Sequence, residues 1–130
     1  MKPGLFAAAL MFFATPGLAQ QSLPTTDASG AVLRGLDTMN GEISDIEIKT
    51  GETKRFERLE ITLTQCRYPT EHPATDAFAD LVIRDIREET PRFTGWMIAS
   101  SPALSAMDHP RYDVWVLRCI LPAPDISDGG

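Results

Sequence analysis

Between Ser100 and Trp115 the chain reads SSPALSAMDHPRYDVW, which gathers three serines, one histidine and two aspartates into sixteen positions. Such residues could form a nucleophilic triad, with Ser100, Ser101 or Ser105 attacking, His109 taking the proton and Asp108 or Asp113 orienting the ring. That chemistry requires the serine hydroxyl at one ring nitrogen, an acid at the other, and backbone donors aimed at the developing oxyanion. Neighbours in sequence seldom converge in this way, and no G-x-S-x-G elbow is present to expose a strained serine. A packing role is simpler. Pro102 pushes Ser101 out of the helical region, and PALSAM suits one short helical turn with proline at its start. Asp108-His109-Pro110 then closes the turn, with His109 bonded to a neighbouring carbonyl or to Asp108.

Aromatic residues flank this loop on both sides. Exposed indoles beside a polar loop would suit a peptide or glycan platform. The strand pattern favours the core for Trp115, whereas Trp96, which follows Gly95, fits a core or a groove equally. The candidate binding surface is therefore Trp96, Met97, Ser100, Ser101, Ser105, His109, Tyr112 and Trp115. His72, bracketed by prolines, reads as a solvated surface residue. No phosphate-cradling glycine loop or clustered acidic metal ligands appear in the sequence, so no cofactor is expected.

The elements that must position this corner read as short strands. AVLRGLD and EISDIEIK form a first hairpin from Val32 to Ile48, turned at Asn40-Gly41, a type I′ signal. Its alternation slips once, which suggests a bulge near Ser44-Asp45. LEITLTQC sets Leu59, Ile61 and Leu63 on one face and Glu60, Thr62, Thr64 and Cys66 on the other. A short helix over Asp76–Asp80 could feed the next strand, in which Leu81 and Ile83 share a face and Asp85 ends it exposed. RFTGWMIAS and YDVWVLRCIL are rich in aromatic and β-branched residues. The last of these sets Trp115, Leu117 and Cys119 opposite Val114, Val116 and Arg118. With apolar residues on both faces, it reads as a central strand. The fold expected is all-β, a compact single-domain sandwich or small barrel with at most one short helix.

Outside the strands the chain divides simply. MKPGLFAAALMFFATPGLA has the basic start, apolar run and small-residue end of a secretory signal peptide (1–19), cleaved after Ala19. Its apolar run is too short to span a bilayer. A polar leader (20–30), the β domain (31–121) and a proline-broken acidic tail (122–130) follow. Cleavage leaves 111 residues and moves the net charge from −6 to −7. An acidic domain of this kind is a poor partner for nucleic acid or anionic lipid. Lys54, Arg55 and Arg58, the one local basic cluster, interleave with Glu52, Glu57 and Glu60 as a mixed solvated face. Localisation is expected to be periplasmic. The oxidising compartment favours pairing of Cys66 with Cys119. The competing reading is a metal site of Cys66, His72, His109 and Cys119, which lacks the usual ligand spacing.

VLRGLD, GETKRFERLEITLTQC and FTGWMIASSPALSAMDHPRYDVWVLRC together resemble the exported Gram-negative proteins grouped as the domain of unknown function 2155 family, over nearly all of Val32 to Cys119. The family pattern matches here at Gly95 to Met97, Ala99 to Ala106, His109, Pro110, Tyr112 to Trp115 and both cysteines. The resemblance implies an exported small β domain with no assigned activity. The resulting expectation is a non-enzymatic domain that binds or helps assemble an unidentified cell-envelope component through the Trp96–Tyr112 corner. The alternative is a small serine hydrolase using Ser101 or Ser105 with His109. The mature protein should begin at Gln20 and, unreduced, weigh two protons less than after reduction. N-terminal sequencing and intact mass check both, and two alkylatable thiols without reductant would favour the metal site.

Overall fold

Period-two burial runs through most of the chain and dictates its strands. The computed structural model describes residues 23–122, with Gly4 and residues 9–12. The remainder of the expected signal peptide, the start of the leader and the tail from residue 123 lie outside the described residues. The strands are β1 (Thr25–Asp27), β2 (Gly30–Asp37), β3 (Ile43–Lys49), β4 (Thr53–Phe56), β5 (Leu59–Pro69), β6 (Phe78–Asp85), β7 (Phe93–Ile98) and β8 (Tyr112–Ile120). A 3-10 turn over Pro102–Ser105 is the helical element among the described residues.

The strands pair antiparallel in two sheets. One has the order β1-β5-β6-β7, with β4 also on β5. Because β4 pairs with Leu59–Thr62 and β1 with Arg67–Pro69, these two short strands lie end to end along one side of β5. The other sheet has the order β3-β2-β8. Leu33, Ile48, Val114 and Val116 from this sheet meet Leu59, Ile61, Leu63, Leu81 and Ile83 from the first, all essentially inaccessible to solvent. The all-β expectation is met.

Two bulges decide which side chains enter this core. Leu63 pairs with Leu81 but Gln65 with Asp80, so β5 carries one extra residue. In β8, Val116 faces Leu33 while Arg118 faces Val32, so Leu117 is extra. An extra residue reverses the alternation beyond it. Cys66 therefore follows Leu63 into the core, and Cys119 follows Val116. They form a disulfide between the sheets with Cα atoms 5.9 Å apart. Closing a loop between cysteines 53 positions apart stabilises by on the order of 4 kcal/mol in the chain-entropy model.

Several expectations are corrected. The β2–β3 register is continuous, with no bulge at Ser44-Asp45. The turn between them has positive φ at Gly41 but not at Asn40, and the Gly41 N–H donates to the Asp37 carbonyl at 2.8 Å, so it is not a two-residue type I′ turn. No helix forms over Asp76–Asp80, because β6 begins at Phe78 and pairs with β5 and β7. Within the stretch read as a flexible leader, Thr25–Asp27 pairs with β5 and β2 starts at Gly30. Among the described residues, strand β8 is an edge strand rather than a central one. Its bulge separates Trp115 from Cys119, leaving Trp115 half-buried on the outer face opposite Arg34.

Two glycines permit close approach. A Cβ at Gly30 would run into the Ile48 carbonyl oxygen, and one at Gly35 would lie 2.9 Å from the Phe56 ring. The ring can shift but the strand backbone cannot. Gly30→Ala is expected to lower unfolding stability by about 1–3 kcal/mol, as overpacking does, and Gly35→Ala by less; denaturant titration measures both.

Candidate functional site

Inward alternation along β2 and β6 ends in a carboxylate on each strand. Asp37 continues the phase of Leu33 and Gly35, and Asp85 that of Leu81 and Ile83; both are buried. The expected exposure of Asp85 is thus overturned. A buried carboxylate is costly unless paired, and the loop before β8 supplies the partners. Arg111 donates to Asp37 from Nη2 at 2.9 Å and from Nε at 3.2 Å. His109 Nε2 lies 2.9 Å from Asp85 Oδ2, with the two side chains 2% and 5% exposed.

The other ring nitrogen fixes the tautomer. His109 Nδ1 accepts from the backbone N–H groups of Arg111 at 3.0 Å and Tyr112 at 3.1 Å. Nδ1 is therefore unprotonated, and Nε2–H donates to Asp85. Tyr112 packs against this lock, its ring centroid 5.0 Å from His109 and 5.8 Å from Phe56 in an edge-on contact. The Arg58 and Arg111 guanidinium carbons lie 5.4 and 5.2 Å from the same ring, within cation–π range. Arg58 thus belongs to this half-buried network and not to a solvated face. Glu57 sits in the β4–β5 turn with φ of 51°, a strained conformation for a residue other than glycine.

The charges perturb one another. Arg111 holds the Asp37 carboxyl far below the usual carboxylate range. The Arg87 backbone N–H, then His109, lower that of Asp85. The neighbouring Asp37 carboxylate, aided by burial, pushes Glu57 up.

Asp85, Glu88 and His109 bring donor atoms within 4.8 Å of one another, a spacing that could surround a cation. The tautomer argues against ligation. A metal on Nε2 requires the proton on Nδ1, where it would face two backbone N–H groups. Glu88 is also engaged by Arg92 Nε at 2.8 Å. The trio belongs to a hydrogen-bonded lock. The metal set weighed from the sequence is dissolved by the disulfide, and His72 is exposed.

The predicted surface residues separate. Met97, Tyr112 and the His109 ring are buried, which corrects their placement on a binding surface. Trp96 is 40% exposed on the outer face of β7. Ser101 and Ser105 are half-buried at the 3-10 turn. Both nitrogens of His109 are committed elsewhere, and no hydrogen bond joins its ring to a serine among the described residues.

Ser100 has a different partner. Its backbone N–H donates to Asp76 Oδ1 at 3.0 Å and its hydroxyl to Asp76 Oδ2 at 2.7 Å. This clasp ties the end of β7 to the loop before β6 and forms a shared wall between two hollows. One, of about 850 Å³, runs along Leu117–Leu121 and over Val32 and Glu47. The other, of about 380 Å³, is lined by Pro24, Pro69, His72 and Phe78. Sequence reading missed Asp76, which stands 24 positions from Ser100. Asp37 and Asp85 keep the inward phase of their strands, but the partners that make their burial tolerable stand 74 and 24 positions away and leave no local signal.

The chain belongs to the DUF2155 family, described as an uncharacterized protein conserved in bacteria, which matches residues 31–119. It is 30% identical over 87 residues to uncharacterized protein RP359 of Rickettsia prowazekii (strain Madrid E), covering 65% of this chain and 56% of the relative. The chain thus spans just over half the length of that relative. No solved structure matches.

The lowered groups contribute stability that is complete above the unfolded carboxylate range, near pH 4, and lost as pH falls below it. The raised Glu57 acts in the opposite sense, favouring the folded state as it takes up its proton. Stability should therefore fall below about pH 4, less steeply in Asp37→Asn, whereas Glu57→Gln should instead remove the gain in stability that Glu57 protonation supplies as pH falls toward about 4. Denaturant unfolding of the three proteins between about pH 2 and 7 checks both.

Proposed function

We propose that this protein is an exported, periplasmic, non-enzymatic domain that binds or helps assemble a cell-envelope component, with the groove beside the Asp76–Ser100 clasp as its docking surface. The observation that carries the reading is that five consecutive residues, Leu117–Leu121, line that groove. Side chains of successive strand residues point to opposite faces, so a run of this kind lines a hollow along a strand's edge.

The export pattern at the start of the sequence and an inter-sheet disulfide support the compartment. Among the described residues no helix is long and apolar enough to cross a membrane. The hydrolase reading, with Ser101 or Ser105 and His109, has no geometric observation in its favour.

In-cell photo-crosslinking tests the proposal. A photoreactive residue at exposed Ala74, on the groove wall, should give a discrete envelope adduct that is absent when the probe sits at Met39 on the β2–β3 turn. Equal labelling from both positions, or none from Ala74 in a folded and exported protein, would overturn the docking surface.

A further inference from the structure

We infer that the groove receives an extended segment of a partner protein, added as a new strand to the edge of β8 that is unpaired among the described residues, with apolar residues at alternate positions and a cationic residue toward Glu47 and Asp76. This inference rests on the docking reading above and names the partner's chemistry.

Edges that natural sheets leave unpaired are normally blunted. In the same sheet as β8, the opposite edge β3 has five of seven residues exposed and carries Asp45, Glu47 and Lys49. At the edge of the other sheet, β7 contains Gly95 with φ of 135°, outside the extended region. In β8, the 3-10 turn lies beside Asp113–Trp115, which share a hollow with Pro102, Ala103 and Ala106. From Leu117 onward the strand borders the groove.

The main chain there has bonding capacity directed outward. The Ile120 carbonyl accepts from the Ser29 backbone N–H at 3.2 Å and its hydroxyl at 3.1 Å, so Ile120 faces β2. Adjacent residues of an antiparallel strand direct their N–H and C=O to opposite sides. Cys119 accordingly presents its pair to the groove, held in place by the disulfide. Five residues of edge span roughly 17 Å at the rise of a strand, enough for a segment of about five residues.

Charge selects the segment. Glu47 and Asp76 are the acids of the wall and Arg118 its base; Arg118 also attracts Asp45, whose carboxyl is lowered chiefly by Arg34. With the chain itself at −6, a cationic partner is favoured over a second copy. Main-chain pairing would provide affinity and the alternate side chains specificity, as in strand addition generally.

The test uses the oxidised full-length mature chain, labelled with nitrogen-15, and two capped five-residue peptides, one alternating valine and lysine and the other valine and glutamate. The lysine peptide should shift the Leu117–Leu121 amides and slow exchange at Cys119 severalfold, with at least tenfold weaker binding by the glutamate peptide. Glu47→Lys should narrow that preference. Silence of these amides at millimolar peptide, shifts confined to another surface, or concentration-dependent dimerisation that protects the same amides without peptide would each overturn strand addition. If Ala74 crosslinking still yields its adduct while the β8 amides stay silent, docking stands and strand addition fails.

Discussion

The bond from His109 to Asp85 is the constraint on which the arrangement of this domain depends. It satisfies a carboxylate that strand alternation drives into the core, and it does so with a residue from the loop that carries the chain from one sheet to the other. The second ring nitrogen accepts two backbone N–H groups at the entrance to β8. One imidazole thereby sets the start of β8, the end of the crossing loop and the closure of the sandwich at that end. Arg111 repeats the device two residues later with Asp37. Tyr112 lies between these pairs, in contact with rings and guanidinium groups.

A second fixed point lies farther along β5 and β8. One additional residue in each strand reverses the alternation, so both cysteines point inward and meet between the sheets. The bulge in β8 therefore acts on more than one level. It redirects Cys119 for the disulfide, leaves Trp115 outside the core, and sets the conformation of the edge that borders the large groove. The Asp76–Ser100 clasp supplies the facing wall, joining loops that sequence separates widely.

These features divide the polar residues by role. The His109 ring, Asp37 and Asp85 sit where solvent scarcely reaches, with their hydrogen bonds made internally, as suits structural pairs. Ser100 and Asp76 are also bonded to each other, but they stand beside accessible space. The groove combines a strand edge, apolar side chains and a small excess of acid. What the serine-rich stretch contributes is a tight crossing whose two ends are pinned, one by Asp76 and the other by Asp85.

The amino-acid sequence alone determined the all-β class, most strand positions, the short turn at Pro102 and the pairing of the two cysteines. These rest on local or pairwise rules that single strands express. Only the tertiary structure decided which face each cysteine takes, because a bulge is visible as a register shift against a partner strand and not within either strand alone. It also decided that Asp85 and Asp37 are buried, since the residues that neutralise them lie 24 and 74 positions away. The edge position of β8 is likewise a property of sheet order: apolar residues on both faces look the same in a central strand and in an edge strand.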